Sequence, residues 1–234
     1  MLAKRAIAAN AHLLPIDRSD PTLILYLPFW YPHGDMTGNP IYSYDIYRHS
    51  CTVSGATWGS TGRTFNPATP DYIELSGDTS IMNFTSGDFT IIANVYVTDT
   101  SSARMIFNRG LYQTDGYFFD IETGGQIRFF TNQAAADQST VSNAGAVSVN
   151  TRYSLGLARS GANANLYRNG VDVTAAGGGH INPATCARTL KIGIWDGKAT
   201  EPMSGIFNAL LAWSRCLPAS EIANISNAIM MTFN

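Results

Sequence analysis

Residues 165–173, Asn-Leu-Tyr-Arg-Asn-Gly-Val-Asp-Val, constrain the fold more than any other stretch of this chain. They read as strand, tight turn, strand. Asn169-Gly170 matches a type I′ turn, whose two central residues take positive φ, a region that Asn and Gly tolerate best. A two-residue turn also sets the register. Arg168 then faces Val171 and Leu166 faces Val173, and these four share one side, while Tyr167 and Asp172 share the other. A hairpin with one core side needs further strands around it, and the rest of the chain supplies them.

Gly, Thr, Ser, Asn and aromatic residues are plentiful and charged residues make up only 14%, the balance of many short strands joined by tight turns. No linker-like break follows residue 20, so we expect an N-terminal arm over residues 1–20 and one large sandwich over residues 21–234. The formal net charge is −2 with no basic stripe, which argues against a nucleic-acid partner. No apolar run approaches the roughly 20 residues of a membrane-spanning helix, so no membrane partner is expected. Cys51, Cys186 and Cys216 leave two readings open, one disulfide or free buried thiols, and the second is favoured. His12, His33, His49 and His180 show no metal-ligand spacing.

Residues 1–14 are Ala-rich with Lys4 and Arg5, and Pro15 breaks any helix. A signal peptide fits poorly, because the apolar part is short and interrupted by Asn10 and His12. We read an arm lying on the domain or on a neighbour. Residues 22–29 are the first strand, apolar on both sides and therefore central. Residues 30–47 read as a long loop rich in Gly, Pro and Tyr. Short strands follow at 51–58, 63–65 and 71–75, the last with Tyr72 and Glu74 on one side. Residues 89–98 alternate: Phe89, Ile91, Ala93, Val95 and Val97 point inward, Thr90, Asn94, Tyr96 and Thr98 outward, with Ile92 the exception.

After a strand at 104–108 comes a second hairpin, 117–122 with 126–131. A three-residue loop pairs Ile121 with Ile127, Phe119 with Phe129 and Asp120 with Arg128, whereas a two-residue loop would oppose Ile121 to Arg128. Pairing like with like selects the first. Residues 133–150 read as a polar loop with a short strand at 146–149. Residues 153–158 alternate again, 175–183 form a Gly-rich loop, and 190–194 and 206–213 are the last strands. Pro218 suits the first position of a short helix through Ile222 and Ile225.

Several segments, in this order and spacing, resemble the laminin-G-like, concanavalin-A-like jelly rolls: Leu23-Ile24-Leu25-Tyr26-Leu27-Pro28-Phe29, Gly55-Ala56-Thr57-Trp58, Asp71-Tyr72-Ile73-Glu74-Leu75, and Phe84-Thr85-Ser86-Gly87-Asp88-Phe89-Thr90-Ile91. Leu166-Tyr167-Arg168-Asn169-Gly170 resembles the family's Leu-Tyr-Val-Asn-Gly hairpin, and residues 205–222 its closing strand and helix. The resemblance covers residues 22–225 and implies an all-β antiparallel jelly-roll sandwich behind the arm, with a short C-terminal helix. The first segment and residues 45–55 also look like versions encoded by bacteriophages. Two positions depart from the family: Arg152 stands where Trp is frequent, and Phe207-Asn208-Ala209-Leu210 replaces Ile-Asp-Glu-Val. An acidic residue in that strand helps related jelly rolls hold calcium. Asn208 brings no charge, so no cofactor is expected and structural calcium is doubtful.

The resemblance also implies a test for catalysis. Retaining glycosidases of the superfamily carry Glu-x-Asp-x-(x)-Glu on one strand, and Phe118-Phe119-Asp120-Ile121-Glu122 is the nearest match here. Phe118 replaces the nucleophile, and Arg128 opposite Asp120 should keep that carboxylate ionised in an exposed ion pair. No enzymatic activity is expected. Trp30, Tyr31, Tyr42, Tyr44 and Tyr47 could stack on sugar rings, with Asp35, Asn39 and Asp45 bonding hydroxyls. The competing reading is that they plug the sandwich end or make a subunit contact. Leu2, Ile7, Leu13 and Leu14 of the arm, and Phe207, Leu211 and Trp213 of the closing strand, are candidate assembly contacts, if the chain does not cover that face itself. The favoured function is a structural or decorating subunit of an assembly, most of all a virion, displaying a lectin-like domain, with self-association and a possible glycan partner. A secreted carbohydrate-binding module is the alternative, and a glycoside hydrolase the second.

Overall fold

The computed structural model describes residues 16–77 and 79–233. In chain order the first strands are β1 (Leu23–Pro28), β2 (Ile41–Tyr42), β3 (Ser50–Ser54), β4 (Thr57–Gly59), β5 (Gly62–Phe65), β6 (Tyr72–Leu75), β7 (Phe89–Val97) and β8 (Arg104–Leu111). Then follow β9 (Asp115–Glu122), β10 (Gln126–Gln133), β11 (Ala136–Ser142), β12 (Thr151–Ser160), β13 (Asn163–Arg168), β14 (Val171–Asp172), β15 (Thr174–Gly177), β16 (Lys191–Ile192) and β17 (Gly205–Trp213). Two α-helices are described, α1 (Gly34–Thr37) and α2 (Ala219–Phe233).

The strands form two antiparallel sheets. An eight-stranded sheet runs β14-β13-β12-β7-β17-β5-β4, with β1 also on β17; a nine-stranded sheet runs β15-β11-β10-β9-β8-β16-β6-β3-β2. Alternation along each strand sends one side into the space between the sheets. Phe89, Ile91, Ala93, Val95 and Val97 of β7 meet Ile106, Phe119, Ile121, Ile127 and Phe129 there. Both hairpins adopt the expected registers. Tyr167 pairs with Asp172 and Arg168 with Val171, and Ile121, Asp120 and Phe119 face Ile127, Arg128 and Phe129. Asn169 and Gly170 take φ 52° and 79°. The turn also touches α2, since a Cβ on Gly170 would lie 2.7 Å from Ala223 Cα.

A second apolar layer covers the other side of the eight-stranded sheet. Ile222, Ile225 and Ile229 of α2 pack on Leu23, Tyr26, Trp30, Ile92, Ala158, Tyr167, Ala209, Leu211 and Trp213. Ile92, the exception in the alternation of β7, therefore points into this layer.

The structure corrects four expectations. Residues 51–58 are not one strand: Gly55, at φ 76°, lets the chain leave β3 in one sheet and enter β4 in the other. Residues 133–150 contain β11 rather than a strand at 146–149. Its polar side chains hid it, yet Thr140 bonds His180 Nε2 at 2.8 Å and Ser142 Oγ accepts from Ile127 N at 2.9 Å. The Gly-rich loop begins as the edge strand β15. In β17 the candidate face of Phe207, Leu211 and Trp213 is split between two layers. A bulge between Phe207 and Ala209 interrupts strict alternation, so Phe207 joins Leu210 and Ala212 between the sheets, edge-on to Phe65 and Phe29. Leu211 and Trp213 lie under α2. These three assembly candidates are thus buried within the chain. Leu2, Ile7, Leu13 and Leu14 lie outside the described residues. All three cysteines are free.

Candidate functional site

The residues singled out between positions 30 and 47 divide by role. Trp30 is only 1% exposed and stands edge-on to Phe233 of α2 at 5.1 Å, a core contact rather than a rim one. Asn39 completes a strand edge: its Nδ2 donates to Val53 O at 2.8 Å and its Oδ1 accepts from Val53 N at 2.9 Å. Asp45 is buried and organises the loop. Its Oδ2 accepts from Tyr26 N at 2.9 Å, and its Oδ1 accepts from Tyr47 N at 2.8 Å and Arg48 N at 3.2 Å. A carboxylate that gathers three backbone donors is a structural clamp.

That clamp brings the remaining residues to the surface around Arg48, a residue the sequence analysis did not select. Arg48 takes φ 52°, and its guanidinium lies 5.8 Å from the ring centres of both Tyr42 and Tyr44. Its Nη2 pairs with Asp35 Oδ2 at 3.0 Å, and its Nη1 donates to Ser43 O at 3.3 Å. Tyr31 stacks on His33 at 4.8 Å and meets Tyr44 edge-on at 5.2 Å. Tyr47 stacks on His49 and donates its hydroxyl to Pro21 O at 2.7 Å. Tyr42 and Tyr47 remain 38% and 39% exposed. From below, buried Arg63 donates to Met36 O and Gly38 O, both at 2.8 Å, and so fastens α1. The result is an aromatic rim with a paired cation and carboxylate beside the rings. A Tyr-rich loop with one arginine was the available signal.

The outer face of the nine-stranded sheet carries the other cluster. Phe130, Phe118, Asn108, Lys191, Glu74 and Thr52 stand in one row across five strand pairings. Beside them, Arg128 donates to Asp120 Oδ1 at 3.0 Å and Oδ2 at 2.5 Å and also pairs with Glu122. The guanidinium covers the Phe130 ring at 4.8 Å, and Phe118 stacks on Phe130 at 4.7 Å.

The sequence predicts an exposed ion pair, and the structure corrects this: Asp120 is 0% exposed beneath this stack. Burial pushes the Asp120 carboxyl up, to about 7, against the pull of Arg128. Burial also raises Glu201, which Arg128 opposes and Glu122 reinforces. An acid sealed under its own arginine and two phenylalanines is out of reach of a glycosidic oxygen, and Phe118 offers no nucleophile.

The calcium implied by the family resemblance does not fit the position of Asn208. Its Oδ1 accepts from Arg152 Nε at 3.2 Å, a cation already in place, and its Nδ2 donates to Thr61 O. Among the described residues, no group of three His, Cys, Asp or Glu side chains is arranged to hold a metal ion. His180 is buried and neutral. Both ring nitrogens bond threonine hydroxyls at 2.8 Å, and burial, with Arg159 nearby, pulls it down to about 4.

The comparisons with known proteins follow this geometry. The family model described as the concanavalin A-like lectin/glucanases superfamily matches residues 67–223. No curated protein sequence matches the chain. Among solved structures, the binding domain of botulinum neurotoxin serotype G is similar at TM-score 0.67 and 13% identity, over 87% of this chain and 50% of that one. The binding domain of botulinum neurotoxin DC, solved with rat synaptotagmin II, matches at TM-score 0.62 and 12% identity, over 89% and 52%. A Trypanosoma rangeli sialidase matches at TM-score 0.67 and 17% identity, over 97% of this chain and 38% of that one. The chain spans about half the length, or less, of these structures. At such identities the likeness shows the fold, one shared by binding domains and by a glycosidase.

Proposed function

This chain belongs to the concanavalin A-like lectin/glucanase superfamily, and from that premise we propose that it is a non-enzymatic, lectin-like glycan-binding domain carried by a larger assembly. The observation that carries the binding reading is the rim around Arg48. Exposed tyrosine rings offer apolar faces to the C–H side of a sugar ring, and Arg48 and Asp35 offer a donor and an acceptor to its hydroxyls. The pairing of Asp120 with Arg128, and Phe118 in the place of a nucleophile, support the non-enzymatic part.

A glycan array probed with the whole chain tests this reading. We expect retention on a subset of glycans, with the double variant Tyr42→Ala/Tyr47→Ala retaining its melting temperature and losing most of the signal. An empty array, or equal binding by the variant, overturns it.

The assembly part rests on the apolar arm, Leu2, Ile7, Leu13 and Leu14, and on the solved structures in which such a sandwich is one part of a longer binding chain. We place the protein on a virion surface or outside a cell, with other subunits and a glycan as partners. The alternative, a secreted carbohydrate-binding module, uses the same rim.

A further inference from the structure

We propose that Lys191 and Asn108 condense into an isopeptide bond, a covalent staple between β16 and β8, with Asp196 as the proton carrier. The sheet register sets the two residues opposite each other on neighbouring strands. Opposed side chains of an antiparallel pair start only about 4.5–5.5 Å apart at Cβ, within reach of the four-carbon lysine stem. Both are withdrawn from water, Asn108 being 0% exposed and Lys191 4%. Holding an amine beside a carboxamide in this way replaces an encounter in solution by an intramolecular step.

The surroundings favour the joined product over the separate groups. Asn108 Oδ1 and Nδ2 have no partner within the protein, so the carboxamide has lost its hydration and gained nothing in return. Lys191 Nζ, by contrast, donates to Asp196 Oδ1 at 2.8 Å and to Thr189 Oγ1 at 3.0 Å, and Glu74 Oε1 lies 3.7 Å away. Neutralising the lysine leaves neither carboxylate alone, because Asp196 also pairs with Arg188 at 2.6 Å and Glu74 with Lys198 at 2.7 Å. Phe118, opposite Asn108 on β9, meets the Trp195 ring edge-on at 4.9 Å, so aromatic rings stand on the side away from Lys191. Keeping water from the carboxamide protects it from hydrolysis.

The step balances within the chain. Asp196 takes one proton from the Lys191 ammonium, and the lone pair of the freed amine attacks Asn108 Cγ. The Asp196 carboxyl then gives its proton to Nδ2 as the Cγ–Nδ2 bond breaks, and returns to a carboxylate. The new amide keeps one of the three lysine protons, and the other two leave with the carboxamide NH₂ as ammonium. Nothing is oxidised or reduced. The bond needs neither a glycan nor a second subunit, so it stands apart from the lectin-like reading.

Intact-mass spectrometry of the full chain, held folded near neutral pH for several days, tests this. We expect a species lighter by the mass of ammonia, about 17 Da, to grow at the expense of the starting chain. Trypsin, after unfolding, should release from it a branched peptide that joins residues 105–109 to residues 189–198, uncut after Lys191. Lys191→Arg and Asn108→Leu should keep their full mass. Asp196→Asn still accepts a hydrogen bond but cannot take a proton, and should slow formation by about a hundredfold or more. A parent of unchanged mass overturns the proposal. So does an equal loss of mass in Lys191→Arg, the result of ring closure at Asn169-Gly170 instead. Conversion of Asn108 to Asp shows that water reaches Cγ first and overturns it as well. Formation at the parent's rate in Asp196→Asn overturns the assignment of Asp196.

Discussion

Arg128 shows how one residue sets the chemistry of a face. It satisfies Asp120, reaches Glu122, and lies over Phe118 and Phe130, so a strand resembling a catalytic one is closed by its cross-strand neighbour. The pairing was legible in the sequence, because only one register matches like with like. The burial was not, since two phenylalanines and an arginine on one face read as exposed until they stack. That burial has a consequence for pH. Asp120 takes up a proton near 7 in the folded chain, against 3.8 for the ordinary carboxyl. Between those values the folded state holds the extra proton, so this contribution to stability is complete below the lower value and is lost as the pH rises through the upper one. Arg128, Glu122 and Glu201 are the charged groups that face it. We expect Asp120→Asn, which cannot ionise, to flatten the fall in melting temperature between about pH 4 and pH 7. A variant curve parallel to that of the parent would count against this account.

At the scale of elements, β17 and α2 decide what is core. An eight-residue run without a charge admitted two covers, another subunit or the chain itself. The bulge at Phe207 and Ala209 settles the facing, and α2 supplies the cover. A bulge leaves no mark in a hydrophobic pattern, because inserting one residue exchanges faces without changing composition. Leu211 is 0% exposed under α2. Leu211→Glu would bury a charge there with nothing to pair it, and we expect a loss of more than about 4 kcal/mol, read by denaturant unfolding. A variant that unfolds at the parent's midpoint would show that α2 does not seal this face.

For the whole molecule, the first described residues already dock on the domain. Ile16 packs beside the α2 layer and Asp20 pairs with Arg215 at 3.5 Å. A truncation that starts at Ile16 therefore keeps these contacts and removes only the apolar segment before them. We expect it to melt within a few degrees of the full chain, because a change of about 1 kcal/mol moves a domain of this size by only about 2–4 °C. In sedimentation we expect it to lose self-association or partner association. Sedimentation identical to that of the full chain would remove the arm from the assembly reading.

The sequence by itself determined both hairpins and the side each residue of β7 presents, because turn chemistry and two-residue alternation are local and repeat along the chain; the jelly-roll class was legible only through the resemblance of its segments to a known family. Tertiary structure alone decided which polar residues serve the fold and which reach the surface. Asp45 and Asn39 looked like ligands and became clamps, while Arg48 and Asn108, unmarked in the pattern, took the exposed and the covered positions. A side chain's role depends on which strand or loop lies over it, and even the separations of 19 residues from Asp45 to Tyr26 and 14 from Asn39 to Val53 are beyond the reach of any turn or alternation rule.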